Sequence, residues 1–408
     1  MLARSHGWPR GHWDWPIHVS HKHGLRCGEM IYLGGQVDLD SSGHVQHAND
    51  LPAQTAAVMA NIAMVLKEFG AGLGDVVKLV AYYQNDGGRD ELAFLADIAR
   101  HFSTAPGPVV TAVPLPALAY PGMIVEIEAV AMLGADGRKL ARAAADVAGL
   151  APLPKPLCHG LRCGQMIFVG GQSAVDPAGV VLSPGDLIAQ SRIVMDRIGQ
   201  LLGAFGARHD DAVKLNIYYT GQGRFEDWQG AARARAAYFT EPGPAATGIP
   251  LPRHADAAVM TRNEVIAMLG QDDRSLPRHH VWPKDHWDWP IHLPYKHGIK
   301  CGNMIFLGGQ VALTPRGEVI KPGDLVEQTK IAMEYIRRVL DGFGAGFDDT
   351  VKVTAFYQGG ASADQLHSNL KIRSGCFTEP GPASTGIPVP FLAYQQMVIE
   401  IEIVAMAE

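Results

Sequence analysis

The heptapeptide HWDWPIH occurs twice in this chain, at residues 12–18 and, unchanged, at residues 286–292. Each copy holds residue types that can do chemistry. A histidine next to a carboxylate can act as a general acid or base near neutral pH, and tryptophans provide flat apolar walls for a ligand. The side chains of these copies that we expect to contact a substrate are Trp13, Asp14, Trp15, His18, Trp287, Asp288, Trp289 and His292.

The same stretch permits two other interpretations. His12, Asp14, His18, His21 and His23 carry enough nitrogen and oxygen atoms for zinc or a similar ion, although the Trp and Pro residues between them suit an extended segment. Alternatively, the tryptophans form a structural arm that packs over a neighbouring domain. The pocket wall is the interpretation that we favour, and we predict no metal ligand and no cofactor.

The chain is built from three similar copies of one unit. HGLRCGEMIYLGGQV begins at His23, HGLRCGQMIFVGGQS at His159 and HGIKCGNMIFLGGQV at His297, and the same offsets hold along each copy. Repeats of about 120 residues have the size of single domains. The boundaries that we predict are a first domain at 1–135, a linker at 136–156, a second domain at 157–270, a linker at 271–285 and a third domain at 286–408.

Each copy has the same pattern of predicted elements. Short apolar runs such as MIYLGGQV predict strands, and a segment with apolar residues at helical spacing followed by glycine predicts a helix. The resulting order, ββαβαββ, defines an α/β domain with helices on one face of the sheet. Because the other face must also be buried, we expect the three sheets to pack together around a pseudo-threefold axis.

Composition excludes several classes of function. The chain of 408 residues is 47% hydrophobic and 19% charged, with a net charge of −6. Such a chain gives no basic face for nucleic acid, and it has no apolar stretch long enough for a membrane span or a signal sequence. Five cysteines without disulfide-like spacing favour a reducing, cytoplasmic location.

Segments that recur in the repeats resemble the Rid superfamily, also called the YjgF family. The pieces are the G-M-I-[YF]-[LV]-G-G-Q strand, the helix-to-strand segment ending in FGA and D-x-V-K, and the terminal strand V-E-I-E-A-V-A. The resemblance implies chorismate-mutase-like domains that form homotrimers with small-molecule pockets between subunits. This chain then resembles a fused trimer: a pseudo-trimeric monomer, for which further oligomerisation is possible.

The resemblance also implies hydrolysis of reactive imines and enamines, with an arginine that holds the substrate carboxylate. The corresponding positions here are Val110, Ala246 and Ser384, so no copy has that arginine. Loss of a charge-assisted pair costs roughly 2–5 kcal/mol in a desolvated pocket. The substrate is therefore expected to lack the carboxylate or to be held by another basic group.

A glutamate that places or activates water is the second implied feature. Glu126 and Glu400 keep it, whereas the second copy has Arg262. We expect this first glutamate to face the pocket and the second glutamate of each E-x-E pair to lie on the opposite face of the sheet. Arg262 either rebuilds an anion clamp or is a structural counter-ion.

A histidine replaces the glutamine of the family's segment before the first strand. It is either an acid or base of the pocket or a buried structural residue, and we predict Glu126, Glu400, His23 and His297 as catalytic. The remaining predicted binding residues are Thr111, Thr385, Tyr295 and Arg262.

These features predict a small-molecule hydrolase or deaminase that adds water to an imine, an enamine or a similar polarised bond. The second copy lacks both the heptapeptide and the glutamate, which predicts two working pockets and one altered pocket. Alternatives are a non-catalytic binding protein and a metal-dependent hydrolase. A ribonuclease is disfavoured by the acidic charge.

Overall fold

The computed structural model describes residues 2–145 and 147–408, which form three α/β domains of the same topology. The first domain consists of β1 (Arg4–Gly7), β2 (Gly24–Cys27), β3 (Met30–Leu33), α1 (Leu51–Lys67), β4 (Val76–Gln84), α2 (Glu91–Ala99), β5 (Val109–Leu115) and β6 (Val125–Met132). Its sheet order is β1-β2-β3-β6-β4-β5, with β4 and β5 parallel and the other pairs antiparallel.

The other two domains repeat this arrangement. The second consists of β7 (Arg142–Ala145), β8 (Gly160–Cys163), β9 (Met166–Gln172), α3 (Leu187–Gly203), β10 (Ala212–Thr220), α4 (Phe225–Ala236), β11 (Ala245–Leu251) and β12 (Thr261–Met268). The third consists of β13 (Arg278–Val281), β14 (Gly298–Cys301), β15 (Met304–Leu307), α5 (Leu325–Gly342), β16 (Thr350–Gln358), α6 (Ala363–Ser374), β17 (Ala383–Val389) and β18 (Ile399–Met406). The predicted α/β fold with the order ββαβαββ is confirmed, and each copy is preceded by one additional edge strand.

The additional strands β7 and β13 lie inside the segments predicted as linkers. Their first residue also fastens one domain to another. Arg142 Nη1 donates to the carbonyl of Val76 at 2.9 Å, and Arg278 Nη1 donates to the carbonyl of Ala212 at 2.9 Å. The segments between the repeats therefore belong to the sheets as well as connecting the domains.

Local sequence explains where the long helices begin and end. An aspartate caps each N-terminus, and Asp50 Oδ1 accepts from the backbone N–H of Ala53 at 3.0 Å. Gly70 follows α1 at φ +70°, the left-handed conformation that glycine adopts most readily. The helices then bury their apolar stripe on one face of the sheet.

The opposite faces of the three sheets pack on one another. Ile31 belongs to the core between the first sheet and its helices, whereas the next residue, Tyr32, belongs to a core shared by all three domains. That shared core contains Cys27, Cys163 and Cys301. The closed arrangement of three copies confirms the predicted pseudo-trimer.

Three largely buried ion pairs link the domains in a cycle. Lys352 Nζ lies 2.7 Å from Glu128 Oε2, Lys78 Nζ lies 2.9 Å from Glu264 Oε1, and Lys214 Nζ lies 2.8 Å from Glu402 Oε2. Each domain thus provides one lysine to a neighbour and receives one. No helix in the described part of the chain is long and apolar enough to cross a membrane.

Candidate functional site

Three equivalent sites lie where two domains meet. At each one, the G-G-Q segment of one domain runs along the strand of the neighbour that precedes its last strand. Gly34 packs on the backbone of Ser384, Gly170 on that of Val110, and Gly308 on that of Ala246. We call the interface of domains one and three site A, that of domains one and two site B, and that of domains two and three site C.

Glu126 lies in site A and Glu400 in site C. Both side chains are buried and line a cavity, of about 30 Å³ in site A and about 80 Å³ in site C. Burial raises the pKa of each carboxyl to about 8; Lys352 opposes this at Glu126, and at Glu400 the neighbouring Glu402 adds to it. Both groups are therefore largely protonated at neutral pH.

The expectation that the two glutamates of a pair lie on opposite faces was wrong. Glu126 pairs with Tyr82 and Glu128 with Val80 across β4 and β6, and both of these partners belong to the core between domains. Residues two positions apart on a strand share a face, because side chains alternate with a period of two. The first glutamate lines the cavity, and the second forms one of the three ion pairs with lysine that link the domains.

Two arginines that sequence reasoning missed also line the cavities. Arg373, on α6, lies in site A, and Arg235, on α4, lies in site C; both are buried. Arg373 Nε donates to Asn369 Oδ1 at 2.9 Å and Nη1 donates to Ser384 Oγ at 3.0 Å, whereas Nη2 has no partner among the described residues. Burial lowers the pKa of Arg373 to about 10, so it stays charged at neutral pH.

The signal for these arginines was present in the sequence. Each lies four residues before a buried phenylalanine, Phe377 or Phe239, and the first copy has Ile98 at that distance from Phe102. The arginine is thus found at the two sites that keep the glutamate. Ser384, where the resemblance places the family arginine, instead accepts a hydrogen bond from Arg373.

In site B, an arginine and a glutamate contact each other directly and form an ion pair. Arg262 Nη1 and Nη2 donate to the two carboxylate oxygens of Glu91 at 2.9 and 2.6 Å, and Nε donates to Ser173 Oγ at 3.1 Å. Burial raises the pKa of Glu91, but the Arg262 guanidinium outweighs it and holds that pKa below its ordinary value. Of the two roles considered for Arg262, these contacts support the structural counter-ion, although its partner is Glu91.

The two heptapeptides bring their tryptophans, but not their charged residues, into the cavities. Trp13 and Trp15 line site A, and Trp287 and Trp289 line site C. Asp14 and Asp288 are exposed and each accepts a hydrogen bond from the following backbone N–H at 2.7 Å. His18 Nε2 and His292 Nε2 are exposed and lie 3.3 Å from Glu379 and Glu241 of the neighbouring domains.

The repeated histidine anchors the segment that precedes it. His23 Nε2 bonds the carbonyl of Trp13 at 2.9 Å, and its ring stacks on Trp15 at 5.3 Å. His297 makes the equivalent bond to Trp287 at 2.9 Å, and His159 bonds Ala151 at 2.8 Å although its copy lacks the heptapeptide. Burial lowers the pKa of His23 to about 2. These contacts support the structural role of His23 and His297 over proton transfer.

The other predicted ligand groups are also dispersed. His12 Nε2 bonds Gln36 Oε1 at 2.8 Å, and His21 Nδ1 bonds the carbonyl of Pro382 at 3.2 Å. Thr111 donates to Glu264 and Thr385 accepts from the backbone N–H of Gly35, so both hold domain interfaces together. Within residues 2–145 and 147–408, no three His, Cys, Asp or Glu side chains are grouped as metal ligands.

The fold and these sites define a class of protein with three tandem α/β domains and cavities between them. The family model described as Endoribonuclease L-PSP matches residues 17–133, 150–259 and 290–407. The chain belongs to this family.

Known proteins resemble single domains or the whole chain. A RutC family protein of Pyrococcus abyssi is 36% identical over 116 residues, which cover 28% of this chain and 87% of that protein. TdcF of Escherichia coli strain K12, provisionally named a reactive intermediate deaminase, is 31% identical over 64 residues, covering 15% of this chain and 48% of TdcF. A chorismatase crystal structure has a TM-score of 0.55 and 12% identity and covers 81% of this chain and 93% of its own, which shows a shared fold.

Proposed function

We propose that sites A and C add water to the C=N bond of an anionic imine, which an enamine substrate reaches by tautomerisation, and release ammonia. The observation that supports this most directly is the composition of the two cavities. In each, one domain contributes a buried, protonated glutamate and the neighbouring domain contributes a buried arginine.

The energetics of the two groups support a ligand site. A buried charge without a partner is costly, and pairing with an opposite charge relieves that cost. Site B shows this solution, because Arg262 and Glu91 form a two-bond pair. In sites A and C the arginine has no carboxylate partner among the described residues, so an anionic ligand would supply the missing charge.

The chemistry follows from the raised pKa of the carboxyl. The protonated glutamate gives its proton to the imine nitrogen, which makes the carbon electrophilic. The resulting carboxylate takes a proton from water as the water oxygen bonds to that carbon. The carboxyl then protonates the amino nitrogen, and the carboxylate removes the hydroxyl proton as the C–N bond breaks, so that a carbonyl compound and ammonia leave and the carboxyl is restored.

No copy has the family arginine on the strand, but two other arginines can hold the substrate anion. Arg373 and Arg235 reach the cavities from helices, so an acidic substrate can be held by a charge-assisted hydrogen bond. The tryptophans of the heptapeptides shield the cavity from bulk water beyond the reacting molecule, which strengthens these polar interactions.

The test measures ammonia release from imines that an amino acid oxidase generates in the reaction mixture from a panel of amino acids. We expect the protein to accelerate release, and the double variant Glu126→Gln/Glu400→Gln to lose about 10²–10⁴-fold of that acceleration. Glu226→Gln, at an exposed position of α4, is the matched control. Saturable binding of the product acids without any acceleration would instead support a non-catalytic binding protein.

A further inference from the structure

We propose that the two cavities select different anions: site C binds an aromatic carboxylate, and site A binds a small aliphatic one. The inference rests on the proposed function, because it takes both cavities as ligand sites. It goes further, since it assigns a separate ligand class to each. A single chain permits this, because the residues of the two sites are encoded independently.

The helix that closes each cavity differs in bulk. In site C, α4 presents Ala232, whereas in site A the equivalent residue of α6 is Leu370. The cavity of site C is the larger of the two, at about 80 Å³ against about 30 Å³. Both residues lie seven positions before the phenylalanine that marks the repeat, Phe239 or Phe377.

The walls differ in aromatic content. Three aromatic side chains line site A, namely Trp13, Trp15 and Tyr120. Six line site C, namely Tyr219, Trp228, Trp287, Trp289, Tyr295 and Tyr394.

Trp228 is the most informative of these side chains, because site A has Leu366 at its position. Its ring meets Tyr394 edge to face at 5.9 Å, and its Nε1 donates to the carbonyl of Ala393 at 3.3 Å. A fixed aromatic wall of this kind suits a flat aromatic ligand, which gains from edge-to-face and offset contacts.

The arginines differ in how many donors remain for a ligand. Arg373 in site A is held by Asn369 and Ser384. The equivalent residues in site C are Ala231 and Ala246, and Arg235 Nη1 donates to Ser191 Oγ at 3.0 Å while Nε lacks a partner among the described residues.

A hydroxyl adds to the free donors of site C. The Tyr295 hydroxyl is buried in site C beside the Arg235 guanidinium, from which its oxygen can accept a hydrogen bond while its O–H remains a donor. The equivalent residue in site A is His21, which is bonded to a backbone carbonyl. Site C thus offers a carboxylate both guanidinium and hydroxyl donors, whereas site A offers the remaining Nη2 of Arg373.

The test measures binding of benzoate and propionate by calorimetry, with the occupied site located in crystals of each complex. We expect benzoate in site C alone and propionate in site A. Ala232→Leu/Ala246→Ser should weaken benzoate binding at least tenfold and leave propionate binding unchanged, which also shows that the variant is folded. The matched variant Leu370→Ala/Ser384→Ala should create a second benzoate site.

The outcomes separate the two proposals. Equal binding of benzoate to both cavities of the unmodified protein, or no effect of either double variant, would overturn the selectivity. Absence of both probes from both cavities would overturn the proposed function itself. Loss of benzoate from site C in Arg235→Gln, with propionate retained in site A, would confirm the arginine as the anion-binding group.

Discussion

At the scale of single residues, each pocket glutamate depends on the glycine that faces it. A Cβ atom on Gly309 would lie 1.8 Å from Glu400 Oε1, and a Cβ atom on Gly35 would lie 1.8 Å from Glu126 Oε1. Two atoms cannot occupy positions this close. The second glycine of G-G-Q therefore provides the space in which the carboxyl lies.

Gly309→Ala should displace the carboxyl of Glu400 and lower turnover in site C by about 10²-fold or more, the usual contribution of a general acid or base. The measurement uses a chain in which Glu126→Gln has silenced site A. Gly171→Ala is the matched control, because it places the same methyl group at the same motif position of site B, where it meets Cδ of Arg262 at 2.8 Å and no glutamate. Equal loss of turnover in both variants would contradict the interpretation.

The raised pKa of the same glutamates predicts a pH dependence of stability. Between pH 4.5, the ordinary pKa, and about pH 8, the folded protein keeps a proton at Glu126 and Glu400 that the unfolded chain has lost. Stability therefore falls as pH rises through this window, by about 1.4 kcal/mol per pH unit for each carboxyl at most.

Glu126→Gln/Glu400→Gln removes this loss of stability at high pH, because glutamine does not titrate. The variant should melt at a higher temperature than the unmodified protein at pH 8, and the difference should shrink towards pH 4.5. Melting curves recorded across this range test it. A constant difference at all pH values would show that the two carboxyls have ordinary pKa values in the folded state.

At the scale of elements, the segments that carry the tryptophans are fastened to the neighbouring domain by a small polar cluster. Lys22 Nζ lies 2.8 Å from Glu379 Oε1 and 5.0 Å from the centre of the Trp8 ring. Lys296 contacts Glu241 and Trp282 in the same way. The second copy has Cys158 at the lysine position.

Glu379→Gln should therefore loosen the first tryptophan segment and leave the domain core intact. We expect faster backbone hydrogen exchange over residues 12–18, with residues 286–292 as the internal control. Glu241→Gln should give the reverse pattern. Exchange that stays slow in both segments would indicate that buried tryptophans alone hold them in place.

The same scale shows how far the sequence predicts the structure. Strands and helices with clear periodicity were predicted, but the edge strand β7 was assigned to a linker, because RAAA has no alternation of apolar and polar residues. Glu126 was found from its motif. Arg373 was missed although Arg235 shares its position four residues before a phenylalanine, because the cavity that it lines is formed only when two domains pack together.

At the scale of the whole molecule, the cycle of lysine–glutamate ion pairs connects domain assembly with the chemistry of the sites. Glu128 pairs with Lys352 on the face of the sheet that also carries Glu126. The charge of Lys352 therefore acts on both carboxyls. Burial raises the pKa of Glu128, but Lys352 together with Lys78 and hydrogen bonds holds it below its ordinary value, and Lys352 also opposes the rise at Glu126. Assembly and the proton affinity of site A thus share one residue.

Lys352→Met separates these two effects. Loss of the ion pair should destabilise the protein by about 3–5 kcal/mol, because Glu128 is left nearly buried without its counter-ion. Of the two charges that act on Glu126, that of Lys352 is the larger, so its removal should raise the pKa of Glu126 further. In a chain with site C silenced by Glu400→Gln, the pH profile of site A should move to higher pH.

Lys78→Met breaks the equivalent pair with Glu264 at site B, where arginine replaces the first glutamate. It should cost similar stability without moving the profile, and a displacement in both variants would mean that general loosening of the assembly, not the charge of Lys352, sets the pKa of Glu126.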